Sequence, residues 1–101
     1  MPKGHPDEAA ASNQRKRLLI EIYKLGDATA EEAAREAGLL ILHSSYWSRV
    51  SELLGLGLVE KTGAKRRSSV GNLRQVVRCT PDGALLAMGF LANPDLPWPR
   101  F

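Results

Sequence analysis

The stretch from Ser44 to Gly83, SSYWSRVSELLGLGLVEKTGAKRRSSVGNLRQVVRCTPDG, decides the fold. Its first third predicts a helix over 44–55, capped by Ser44 or Ser45, with Tyr46, Val50, Leu53 and Leu54 on one buried stripe. Gly57-Leu58-Val59 then opens a strand. In a second strand Leu73, Gln75, Val77 and Cys79 alternate with Arg74, Val76 and Arg78, so one face packs inward and the other carries charge. Gly63 and Gly71-Asn72 supply the backbone freedom for a turn between the strands, placing Lys65, Arg66 and Arg67 on a hairpin loop. Thr80-Pro81 reads as the start of another helix, because proline is tolerated at the first helical position. The segment 61–78 holds six of the 14 basic residues and none of the 11 acids. It therefore carries +6 on a body of −3, the charge distribution expected for contact with nucleic acid.

Working outward, residues 1–11 are polar, with Pro2, Gly4 and Pro6, and are expected to be a flexible segment. From Ser12 the pattern is helical: Leu18, Ile22 and Leu25 form a stripe that Leu19 widens and Gly26 ends. Thr29 and Glu32 have the spacing of a capping box. The helix behind them, Ala30–Ala37, offers Ala33, Ala34 and Ala37 for close approach of a neighbour and stops at Gly38. Leu39 to Leu42 is expected to be an apolar loop. A last helix, about Pro81 to Leu91, is expected to bury Leu85, Leu86 and Met88. Residues 93–101 contain three prolines and cannot continue it. One domain is thus expected over 12–92, flanked by two short segments.

A chain of 101 residues suits a single core. Its strongly apolar run Gly38 to Leu42 is far short of a membrane span, and the N-terminal residues lack a signal peptide's apolar core. The lone cysteine, Cys79, excludes an internal disulfide and favours a reducing compartment, so a cytoplasmic location is expected. Cys79 itself reads as a small core residue. His5 and His43 are too few and too far apart for a zinc site, and no cofactor is expected. With no nucleophile–base pairing, glycine-rich phosphate loop or carboxylate cluster outside helix faces, the chain is expected not to be an enzyme.

The order helix, helix, helix, strand, basic loop, strand, helix resembles the winged helix-turn-helix superfamily, including MarR-like and ArsR-like regulators and small phage-type DNA-binding proteins. Three pieces carry the resemblance over about half the chain: TAEEAAREAGL (Thr29 to Leu39), SSYWSRVSELLGLGLVEK (Ser44 to Lys61) and RQVVRCTPDGALL (Arg74 to Leu86). The steps GLVEK and CTPDG are its more specific signals, and LLILH (Leu39 to His43) departs from the family's shorter turn. The resemblance implies a mostly α fold with a small antiparallel β wing, in which helix 44–55 enters the major groove of double-stranded DNA.

With its stripe turned inward, that helix is expected to present Ser45, Ser48, Arg49 and Glu52, with Trp47 at the edge. Arginine can bond guanine bidentately, glutamate can accept from cytosine, and serine can contact base or phosphate. Arg49 could instead pair with Glu52 or Glu36. Lys65, Arg66, Arg67, Arg74 and Arg78 are expected to meet phosphates or the minor groove, while Arg15, Lys16 and Arg17 form a second cluster on the first helix. The expected function is a small sequence-specific transcriptional regulator. It is expected to form a homodimer through the first helix and a C-terminal segment containing Phe90, Leu91, Leu96, Trp98 and Phe101. The competing function is a protein-interaction adaptor built on the same fold, without a specific DNA site.

Overall fold

The computed structural model describes residues 6–39 and 45–101. Over these residues the chain is mostly helical, with four helices and a three-stranded antiparallel sheet in the order α1 (Pro6–Leu25), β1 (Asp27–Thr29), α2 (Ala30–Ala37), α3 (Ser45–Gly55), β2 (Val59–Arg67), β3 (Leu73–Cys79), α4 (Pro81–Ala92). The sheet order is β1-β3-β2. Among the described residues no helix is long and apolar enough to cross a membrane. The apolar loop expected beyond Leu39, the cap at Ser44, and His5 and His43 lie outside the described residues.

The core forms where the helical stripes meet the inner face of the sheet. Leu18, Leu19 and Ile22 of α1 are fully buried against Ala33 and Ala34 of α2, Val50 and Leu53 of α3, and Phe90 of α4. Sequence-local chemistry sets most element ends. Thr29 Oγ accepts from the Glu32 amide while Glu32 Oε1 accepts from the Thr29 amide, both at 3.1 Å, closing the expected capping box. After α3 the Leu58 amide donates back to the Leu53 carbonyl at 3.0 Å, a closure that needs the left-handed backbone Gly57 adopts (φ 75°). Thr80 caps α4, its hydroxyl accepting from the Gly83 amide at 3.1 Å.

Five sequence expectations change. α1 starts at Pro6 rather than Ser12, and Ala11 is already buried. β1 was not foreseen; it pairs Ala28 with Val77 and makes β3 the central strand. Lys65, Arg66 and Arg67 lie on β2, not on a loop: Gly63 (φ 91°) sits in an irregularity between Lys61 and Lys65, and the strand runs on to Arg67. The turn comes at 68–72, where the Ser68 amide donates to the Asn72 carbonyl at 2.7 Å. α4 is rotated from its expected phase: Gly83, Ala87 and Phe90 face inward, while Leu85 and Met88 are exposed. The cause is Gly83, whose missing side chain lets the helix sit directly on the Leu58 backbone.

The fifth change concerns the C-terminal tail. Trp98 stacks on Phe90 with ring centroids 6.0 Å apart, and Leu96 and Trp98 pack on the core. Lys16 Nζ donates to the Pro94 and Leu96 carbonyls. Leu96, Trp98 and Phe90 therefore pack within the chain.

Candidate nucleic-acid interface

The cations of α1 are clamps. Arg15 is buried, donates to Glu52 of α3 at 2.6 Å and to Ser12 at 3.0 Å, and lies over the Trp98 ring. Lys16 holds the tail, and Arg17 donates to the Ala37 carbonyl at the end of α2. Three consecutive residues thus point along three directions of one helix and fix α3, the tail and α2.

The Arg15 contact reorganises the expected reading face of α3. Glu52 accepts from Arg15 and pairs with Arg49 at 3.0 Å, and the Arg49 side chain is only 20% exposed. Arg49 and Glu52 thus form a bridge on the α1 flank instead of projecting freely outward. Ser48 is exposed as expected, whereas the side chain of Ser45 is not described. The outward line is completed by Ser51 and Gly55, both exposed and spaced three and seven residues beyond Ser48. Ser51 was missed, though its spacing from Trp47 and Ser48 was the available signal.

The hairpin sorts its charges by face. Residues directly opposite in antiparallel strands share a face. Lys61 with Val77, Lys65 with Gln75 and Arg67 with Leu73 therefore lie on one side, and Glu60 with Arg78 and Arg66 with Arg74 on the other. On the second side two of the three cations, Arg66 and Arg78, are paired with carboxylates. Arg78 Nε donates to Glu60 at 2.9 Å, and Arg66 donates to Asp27 and Glu32, both at 2.5 Å. The Asp27 and then the Glu32 carboxylate raise the Arg66 pKa further above its ordinary value. The tip of the hairpin is tied to α2 by Ser69, whose amide and hydroxyl donate to Glu31 at 3.0 and 2.6 Å. The Ser69 hydroxyl, and then its amide, hold the Glu31 carboxyl below the usual carboxylate range.

On the first side Lys61 and Lys65 have no carboxylate partner among the described residues, and Arg67 donates to the Gly71 carbonyl at 2.8 Å. This is also the side that meets α3. Lys61, Gln75 and Val77 line one crevice with Trp47, Val50, Ser51 and Leu54. Arg74 lines a second crevice with Glu31, Tyr46 and Trp47. The expected site residues thus divide: Ser48, Lys65, Arg67 and Arg74 are exposed and in no ion pair among the described residues, Arg74 acting on Glu31 only through its field, while Arg49, Glu52, Arg66 and Arg78 are engaged internally.

Cys79 sits half-buried on β3, its Sγ 3.9 Å from the Leu19 carbonyl, and burial pushes the thiol up to about 11. It is held as a neutral packing group. Among the described residues no three His, Cys, Asp or Glu side chains come together in a way that could hold a metal. No family model matches this chain, and no curated protein is significantly similar to it.

Proposed function

We propose that the chain is a winged helix-turn-helix protein that binds double-stranded DNA and acts as a small sequence-specific transcriptional regulator in the cytoplasm, not as an enzyme. In this reading α3 enters the major groove and the β2–β3 hairpin is the wing. The observation that carries it is the sorting of charge. The α1 cations and two wing arginines are used within the chain, whereas among the described residues Lys61, Lys65, Arg67 and Arg74 are in no ion pair, and Lys61 and Arg74 line the crevices beside Trp47 of α3. A cationic rim around a shallow polar helix face suits phosphates flanking a groove. Selection from a random-sequence duplex pool tests the reading. Recovery of one motif supports it, and equal, salt-insensitive retention of all sequences overturns it.

A second copy of the chain is the proposed protein partner, docked through α4 rather than through the tail. Leu85, Met88 and Leu91 are 67, 48 and 47% exposed on that helix. Together they offer on the order of 300 Å² of apolar surface, at roughly 150–200 Å² for a fully exposed large side chain. Interfaces are about 57–65% apolar, so this patch implies about 500 Å² per protomer, at the weak end of specific interfaces. The pair should therefore form when both copies are held on one palindromic duplex. Sedimentation with duplex should show two chains per site for the wild type and one for Leu85→Glu/Met88→Glu. One wild-type chain per duplex at saturation would remove the second copy.

A further inference from the structure

Trp47 is the large side chain of α3 that the core does not use. Its indole is 47% exposed and stands between the two crevices beside the hairpin. The crevice on the Lys61 side has a volume of about 130 Å³, a floor of Val50, Leu54 and Val77, and polar groups from Ser51, Lys61 and Gln75. Among the described residues no carboxylate lines it. It is smaller than the roughly 300–1,000 Å³ of a pocket that encloses a whole small molecule. What it fits is the edge of something larger, with an apolar projection and a hydrogen-bonding flank.

The rest of α3 bears on how such an edge could arrive. Ser48, Ser51 and Gly55 along the outward line are small, so no long side chain holds the helix away from a groove floor. Among the base groups displayed in the major groove, the 5-methyl of thymine is the apolar one, and the adenine opposite it presents an N7 acceptor and an N6 donor. A primary amide matches that adenine pair bidentately. Gln75 supplies the amide in this crevice, Trp47 an apolar wall and Lys61 a cation for the adjoining phosphate.

We propose that Trp47 and Gln75 read an A·T pair, with the thymine 5-methyl seated against the indole and the Gln75 amide bonded to adenine N6 and N7. This rests on the duplex-binding function and names what that face selects. It also moves base recognition from the Arg49–Glu52 bridge to the wing side of α3.

The experiment starts with a duplex selected by the wild-type chain from a random-sequence pool. Each thymine of the winner is then replaced, one at a time, by deoxyuridine, which removes only the methyl. Wild-type affinity should fall about fourfold at one position, the loss expected for one methyl-sized apolar group. Trp47→Ala should bind the thymine and uracil duplexes equally. Gln75→Ala should keep the uracil effect but lose its preference for adenine in the opposite strand. Trp47→Gln gives the same comparison if the alanine variant does not fold. Indifference of the wild type to uracil at every position, with selective binding intact, overturns the proposal. So does uracil sensitivity that survives in both Trp47 variants. Failure of the wild type to select any duplex overturns the underlying function instead, and is seen before uracil is introduced.

Discussion

The charge sorting of the hairpin makes a quantitative prediction about salt. A cation that meets a phosphate releases counterions, and each such contact adds about 0.9 to the slope of log affinity against log salt. Counted from sequence, Lys65, Arg66 and Arg67 would contribute equally, about 2.7 together. In the structure Arg66 already faces Asp27 and Glu32 at 2.5 Å, whereas among the described residues Lys65 has no acid partner and Arg67 bonds a carbonyl. Lys65→Ala/Arg67→Ala should therefore lower the slope by about 1.8, and Arg66→Ala by less than half the effect of either single change. Between about 50 and about 200 mM salt, the wild type should lose roughly twelvefold more affinity than the double variant. Fluorescence anisotropy of a labelled duplex over that range measures both slopes, with circular dichroism to confirm folding. An Arg66→Ala slope change as large as that of Lys65→Ala would refute the reasoning, because Arg66 would then exchange its carboxylates for phosphate on binding.

Gly83→Ala would place a Cβ 1.8 Å from the Leu58 carbonyl oxygen. Overpacking of about 3 kcal/mol outweighs the roughly 1 kcal/mol gained in helix propensity, so thermal unfolding should shift down by about 10 °C. The Glu31 carboxyl, lowered by Ser69, contributes stability at pH above its unfolded value that is lost as pH falls through its lower folded value. Carboxyl NMR should show that value rising toward 4.5 in Ser69→Ala, and an unchanged titration would remove the tether. For Cys79 the sign is opposite. With the folded thiol raised from 9.0 to about 11, its stability contribution is complete below pH 9 and lost as pH climbs toward 11. Denaturant melts should show that alkaline decline in the wild type and a shallower one in Cys79→Ala.

Local chemistry made much of the fold legible. The capping box at Thr29 and Glu32 and the Thr80-Pro81 start of α4 each depend on residues a few positions apart, whereas the expected alternation of β3 failed: Val76, placed on the charged face, is buried beside Val77, and Leu73, placed on the inner face, is exposed. The misses came from long-range contacts. The sequence LLAMGFLA of α4 is apolar all round, so no periodicity distinguishes its inner face. That face is chosen by the approach of Gly83 to Leu58, 25 positions earlier. The outward face of α3 was misplaced because Arg15, 37 positions away, draws Glu52 toward α1, with Arg49 beside it. Gly63 looked like a turn because a strand irregularity demands the same positive φ.

β2 is the outer strand of the sheet and nine residues long, so one side of its backbone is left open. Exposed strands of that length invite edge-to-edge pairing with other chains and, eventually, aggregation. Lys61, Lys65, Arg66 and Arg67 make such pairing electrostatically unfavourable, and the irregularity at Gly63 interrupts the flat register it would require. The positive charge of this strand therefore has a role before any ligand is met: it opposes pairing of one exposed edge with another. Under the proposed function, selection for a weaker grip on DNA could not simply erase these cations without exposing a sticky edge. On that reading, affinity and colloidal stability are tied to the same few side chains.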